Sequence, residues 1–82
     1  MLELQVILYP PFDRQVGQDK ITFRVPEGIT VGRFLEGFAA AYPQLGDTDG
    51  LLVLVNGLVT PREGQLTASA GTIKIIPAVA GG

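Results

Sequence analysis

Between Val31 and Tyr42 the apolar residues Val31, Phe34, Leu35, Phe38, Ala39 and Tyr42 fall on one side of a 3.6-residue repeat. The spacing predicts one α-helix with one apolar stripe. Thr30 stands where an N-cap is needed, after the turn Pro26-Glu27-Gly28, and Pro43 ends the run. Gly32 and Gly37 lower the intrinsic propensity of the segment, so packing has to hold it. At this spacing Phe34 and Phe38 read as core, not as a ligand pocket. A lone helix of this kind must bury its stripe on a sheet, which predicts a two-layer α+β domain.

The strands follow a period of two. In Leu2–Tyr9, Leu2, Leu4, Val6 and Leu8 share one face and Glu3, Gln5, Ile7 and Tyr9 the other. Lys20–Val25 repeats the alternation, with Ile21, Phe23 and Val25 inward. The two predict an antiparallel pair joined by a long loop over Pro10–Asp19. Leu51–Val55 is apolar throughout and predicts a central strand buried on both faces. Asn56-Gly57 signals a tight turn, with Leu58-Val59 returning as a short edge. After the turn Pro61–Gly64, Leu66 is expected to plug the core, and Ile73 and Ile75 to line the inner face of a last strand. The expected order is β-β-α-β-β-β, with the last strand beside the first.

Eighty-two residues make one domain with a modest core and no second lobe to close a cleft. Cysteine and histidine are both absent. This removes thiolate nucleophiles, disulfides and iron–sulfur ligation, and with them the side chain best suited to proton transfer at neutral pH. The net charge is −2 and the six Lys and Arg residues are dispersed, so no nucleic-acid partner is expected. Asp47-Thr-Asp-Gly50 opens like a calcium loop but runs straight into Leu51–Val55, so no metal site is expected. No apolar run approaches the ~20 residues that span a bilayer, and the N-terminus lacks a signal-peptide pattern. The expectation is a cytoplasmic protein without a membrane partner.

What remains for chemistry is the stretch Pro77-Ala-Val-Ala-Gly-Gly82. Proline at 77 lacks a backbone donor, so the last strand is expected not to continue pairing past it. Residues 1–76 are then the folded domain and 77–82 a tail that carries its carboxylate up to roughly 20 Å outward. Gly81 and Gly82 have no Cβ, so they thread a narrow channel without steric cost. A carboxylate on such an arm suits an acyl-activating enzyme. Small residues at a terminus are also simply tolerated, but a strand, a proline and small apolar residues leading into Gly-Gly favour a functional tail.

The element order, the turn Val55-Asn56-Gly57, the approach Val25-Pro-Glu-Gly-Ile-Thr-Val31, Tyr42-Pro43 and the ending Ile73-Lys-Ile-Ile-Pro-Ala-Val-Ala-Gly-Gly82 together resemble the ubiquitin-like sulfur carriers of the MoaD/ThiS family. Within it the resemblance is to the MoaD-type small subunit of molybdopterin synthase. It spans the whole chain. Two features depart from the MoaD pattern: Ala68–Thr72 replaces an acidic turn, and the first loop holds Pro10-Pro11. Thr60-Pro-Arg-Glu63 is similar to ThiS-type carriers of thiamine thiazole synthesis. The resemblance implies a β-grasp fold, a mixed sheet of four to five strands with one main helix on one face.

It also implies a function. An E1-like adenylyltransferase of the MoeB/ThiF kind, using ATP and magnesium, would convert Gly82 to an acyl-adenylate. A sulfur donor would then displace AMP, leaving a thiocarboxylate for a precursor held by a large subunit of the MoaE kind. Gly82 would be the reacting residue and Gly81 the spacer, with no cofactor resident on the chain. The pleat leaves Ile7 and Ile76 on the helix-free face, with Leu58 at the short edge. These three, with Pro77 and Val79 of the tail, are the expected partner-binding residues. Two other readings share the features: a ubiquitin-like modifier that joins lysines through the same tail, and a binding module in which Gly-Gly is incidental.

Overall fold

The computed structural model describes residues 1–46 and 48–77 of the chain. Leu2–Leu8 forms strand β1, with Leu4, Val6 and Leu8 buried. Lys20–Val25 forms β2, antiparallel to β1, with Leu2 opposite Val25 and Ile7 opposite Lys20. The alternation of each strand dictates this pairing, since a slip of one residue would turn the apolar row of the slipped strand outward.

The connection between them corrects the sequence expectation. Instead of a loop through Pro10–Asp19, a five-residue helix, α1, spans Phe12–Val16. The Tyr9 carbonyl accepts from the Phe12 N–H at 2.8 Å, and Gly17, left-handed at φ 87°, donates to the Asp13 carbonyl at 2.9 Å. Five residues are too few for a stripe to show. The sign that was there is Phe12, whose ring is buried in the core.

Helix α2 spans Val31–Ala41, and Thr30 Oγ1 caps it by accepting from the Arg33 N–H at 3.2 Å. Val31, Phe34, Leu35 and Phe38 are buried, while Ala39 and Tyr42 are half-buried. Pro43 does not simply stop the chain but tightens it into a 3₁₀ turn, Pro43–Leu45, which delivers Leu45 to the core. Phe23 of β2 meets Phe34 and Phe38 edge-on, with ring centroids 5.9 and 5.1 Å apart, an arrangement aromatic pairs favour.

Leu51–Val55 is β3, Leu58–Val59 is β4 and Thr72–Pro77 is β5. The sheet runs β2-β1-β5-β3-β4. Strand β5 is parallel to β1 (Val6 opposite Ile73) and antiparallel to β3 (Val53 opposite Ile75). This mixed five-stranded sheet with one main helix is the β-grasp arrangement, and the last strand does lie beside the first.

The expectation of a central β3 buried on both faces is overturned. The central strand is β5, and β3 is second from the edge, covered beyond by only the two residues of β4. Leu51 and Val53 are buried, but Leu52 and Leu54 are half-buried. Its continuous apolar character comes from an apolar sheet face without a helix on it, not from a second layer.

Leu66 is fully buried, pinned by its N–H to the Ile29 carbonyl and by its carbonyl to the Gly28 N–H, both at 2.8 Å. Asn56 and Gly57 both have positive φ, 50° and 87°, the geometry a two-residue hairpin demands.

Candidate functional site

The site begins where the sheet ends. Pro77 is the last residue of β5 and stands opposite Leu51 of β3. Leu51 is held from its far side: its N–H donates to the Thr48 carbonyl at 3.1 Å, and its carbonyl accepts from the Arg62 guanidinium at 3.3 Å. The same guanidinium donates to the Thr48 carbonyl, and the Arg62 carbonyl accepts from the Gly32 N–H at 2.9 Å. The half-buried Arg62 side chain therefore ties the 60–64 turn to the start of β3, and its backbone carbonyl ties the same turn to the start of α2, next to the end of β5 at Pro77. The sequence carries no sign of this role, because an arginine in a Pro–Gly turn looks like any solvated cation.

Beside this brace lies the helix-free face. Ile76 is half-buried opposite Leu52, and Ile7 is half-buried opposite Lys74. Lys74 in turn stands opposite Leu54, and Leu54 opposite Val59. The register therefore brings Ile7 and Ile76 onto one surface, as expected, and adds Leu52, Leu54 and Val59. Leu52 and Leu54 go unseen where β3 is expected to be buried on both faces, and Val59 where β4 is read only as a short returning edge. The unbroken apolar run next to a two-residue edge was their signal.

Leu58 sits opposite Val55, on the side of the pleat that faces α2, and is 73% exposed. It borders the surface rather than lying in it. Asp47 and the tail positions Val79, Gly81 and Gly82 lie outside the described residues, so the site's geometry ends at Pro77.

At the β2 end the same face turns polar. Gln5 Nε2 donates to Thr22 Oγ1 at 3.1 Å, and Arg24 pairs with Glu3 at 3.3 Å. That ion pair is more than half exposed on both sides, so it contributes little to stability. Among the described residues no group of three or more acidic side chains is arranged to hold a metal ion, and no helix is long and apolar enough to cross a membrane.

A shallow depression of about 450 Å³ opens at the start of α2, lined by Pro26–Thr30 and Arg33. An anion there would need free helix N–H groups. Those of Val31, Gly32 and Arg33 are already taken by the Gly64 carbonyl, the Arg62 carbonyl and Thr30 Oγ1. What the described residues offer is a braced end to β5 at Pro77 and an apolar, lysine-bearing face beside it.

The ThiS family model matches residues 7–82. No curated protein matches the chain. Among solved structures, the HVO 2177 protein of Haloferax volcanii is 32% identical, with a TM-score of 0.78 over 99% of this chain and 87% of that one. SAMP1 from Haloferax volcanii is 26% identical, with a TM-score of 0.77 over 98% of this chain and 99% of that one. A putative molybdopterin converting factor subunit 1 from Pyrococcus furiosus gives a TM-score of 0.81 over 96% of this chain and 100% of that one. At 20% identity it bears on the fold alone.

Proposed function

The chain belongs to the ThiS family, and from that premise we propose that it is a sulfur carrier whose reacting group is the carboxylate on Gly82. A carboxylate is a poor acyl donor, because its oxygen is a poor leaving group. An E1-like enzyme overcomes this with ATP and magnesium. The Gly82 carboxylate attacks the α-phosphorus, pyrophosphate leaves, and the glycyl adenylate carries AMP as a good leaving group. Sulfur at the sulfide level, handed over by a donor, then attacks the acyl carbon; the bond to AMP breaks, AMP leaves and the thiocarboxylate remains, so a chain without cysteine carries sulfur on its backbone.

The acceptor reaction is molybdopterin formation on a MoaE-like large subunit, with Gly81 as the spacer that lets the tail thread. Ile7, Ile76, Pro77 and Val79 serve as partner contacts, and Leu58 borders them. The observation that carries the reading is a family match that reaches Gly82, on a domain whose last strand runs to Pro77 against a braced Leu51. A covalent modifier role is the second reading, favoured by the likeness to SAMP1, a small archaeal modifier protein. The same activation precedes either outcome, with a lysine amine in place of the sulfur donor. A ThiS-type role in thiazole synthesis differs only in the acceptor.

ATP–pyrophosphate exchange with the E1-like enzyme of the same host tests the reading. Deleting Gly82 is expected to abolish exchange without lowering the melting temperature. Undiminished exchange by the deletion variant would overturn it.

A further inference from the structure

We propose that the open face of the sheet selects its partner by charge, with Lys20 and Lys74 demanding carboxylates at an apolar contact. This rests on the carrier reading and specifies the docking surface of the activating enzyme: an apolar contact for Leu52, Leu54, Val59 and Ile76, with carboxylates set to meet Lys74 at the middle of the face and Lys20 at its β2 edge.

The register sets out the pattern. Lys20, Ile7, Lys74, Leu54 and Val59 stand opposite one another in turn, a single row across all five strands. Its only charges are the two lysines. Ile76 and Leu52 extend the apolar surface on the tail side. On the other side Arg24 and Glu3 neutralise each other, so the unbalanced charge of the face is that of Lys20 and Lys74. The face is two units positive on a chain whose net charge is −2, which leaves the remainder of the chain four units negative.

That segregation argues for one occupant. A second copy meeting face to face would set lysine rows against each other, a like-charge contact that disfavours association. A partner that sets one carboxylate within its apolar contact, against Lys74, and another at the contact's edge, against Lys20, satisfies both features. Lys74 is half-buried between Ile7 and Leu54, a setting in which a lysine can cover apolar surface with its methylene stem while its ammonium stays hydrated. The bland reading is that the lysines only keep an apolar face soluble. Glutamate would then serve as well, and this separates the two.

The test is the same exchange assay with the full chain, varying carrier concentration. Lys20→Glu and Lys74→Glu are each expected to raise KM for the carrier about tenfold or more with kcat unchanged, as befits a docking charge. Lys74→Arg should keep the parent KM. Added salt should raise the parent KM steeply and those of the variants little. Arg14→Glu and Arg33→Glu, on the helices, should leave KM as it is.

Parent-like KM for both glutamate variants, or an equal rise with Arg33→Glu, would overturn the inference while the carrier reading stands. No exchange by the parent chain would overturn the carrier reading, and this inference with it. If a glutamate variant melts early, Lys20→Gln and Lys74→Gln are read instead, with a smaller rise in KM expected and no rise counting against.

Discussion

Asn56 combines two roles. Its backbone takes the left-handed conformation that turns β3 into β4, and its side chain reaches across to the approach of β5. There Nδ2 donates to the Ser69 carbonyl at 2.7 Å, and Oδ1 accepts from the N–H groups of Gly71 and Thr72 at 3.3 and 3.2 Å. The turn was legible in the Asn-Gly pair. The bridge was not, because its partners lie more than a dozen residues away.

Asn56→Gly keeps the backbone freedom and removes the bridge, so it is expected to cost about 1–3 kcal/mol. Urea denaturation that matches the parent would mean the side-chain bonds contribute nothing. Ile76 gives a contrasting case. It lies on the helix-free face and is only half-buried, so Ile76→Lys should change stability by about 1 kcal/mol or less. Binding to the activating enzyme should weaken by about 2 kcal/mol or more, as for a contact anchor. A collapsed melt would place Ile76 in the core, and unchanged affinity with a normal melt would remove it from the interface.

At the scale of elements, legibility followed length. Helix α2 and strands β1 and β2 each repeat their period several times, and their boundaries came out of the sequence nearly as observed. Helix α1 has no room for a repeat, and its only mark, Phe12, sits just after two prolines that look like loop. Because the ring is buried, Phe12→Ala is expected to destabilise by about 3–5 kcal/mol. A loop residue would show no such loss in a thermal melt, and an unchanged melting temperature would return the segment to a loop. Strand β3 was misjudged for a different reason. Apolarity on both faces means burial on both only when a second layer exists, and the chain has a single main helix to supply one. The surplus leucines, Leu52 and Leu54, belong to the open face.

The whole molecule divides its labour. One core takes up the α2 stripe and one side of the sheet, together with Phe12, Leu45 and Leu66, and the absence of cysteine and histidine leaves few side chains with chemistry to offer. In the proposed division, recognition is assigned to the open face and reaction to Gly82, on either side of Pro77, where Arg62 braces the neighbouring strand through Leu51. The fold and the face were largely readable from periodicity, whereas the lysine row depends on register across strands and the Arg62 brace on a turn residue reaching carbonyls more than ten positions away. The central claim is that Gly82 carries sulfur. Intact mass of the protein purified from its native host tests it most directly. The account predicts a fraction of chains in which one oxygen is replaced by sulfur, with the exchange mapping to Gly82 by fragmentation. Chains that carry only oxygen there, from cells actively making the product cofactor, would contradict it.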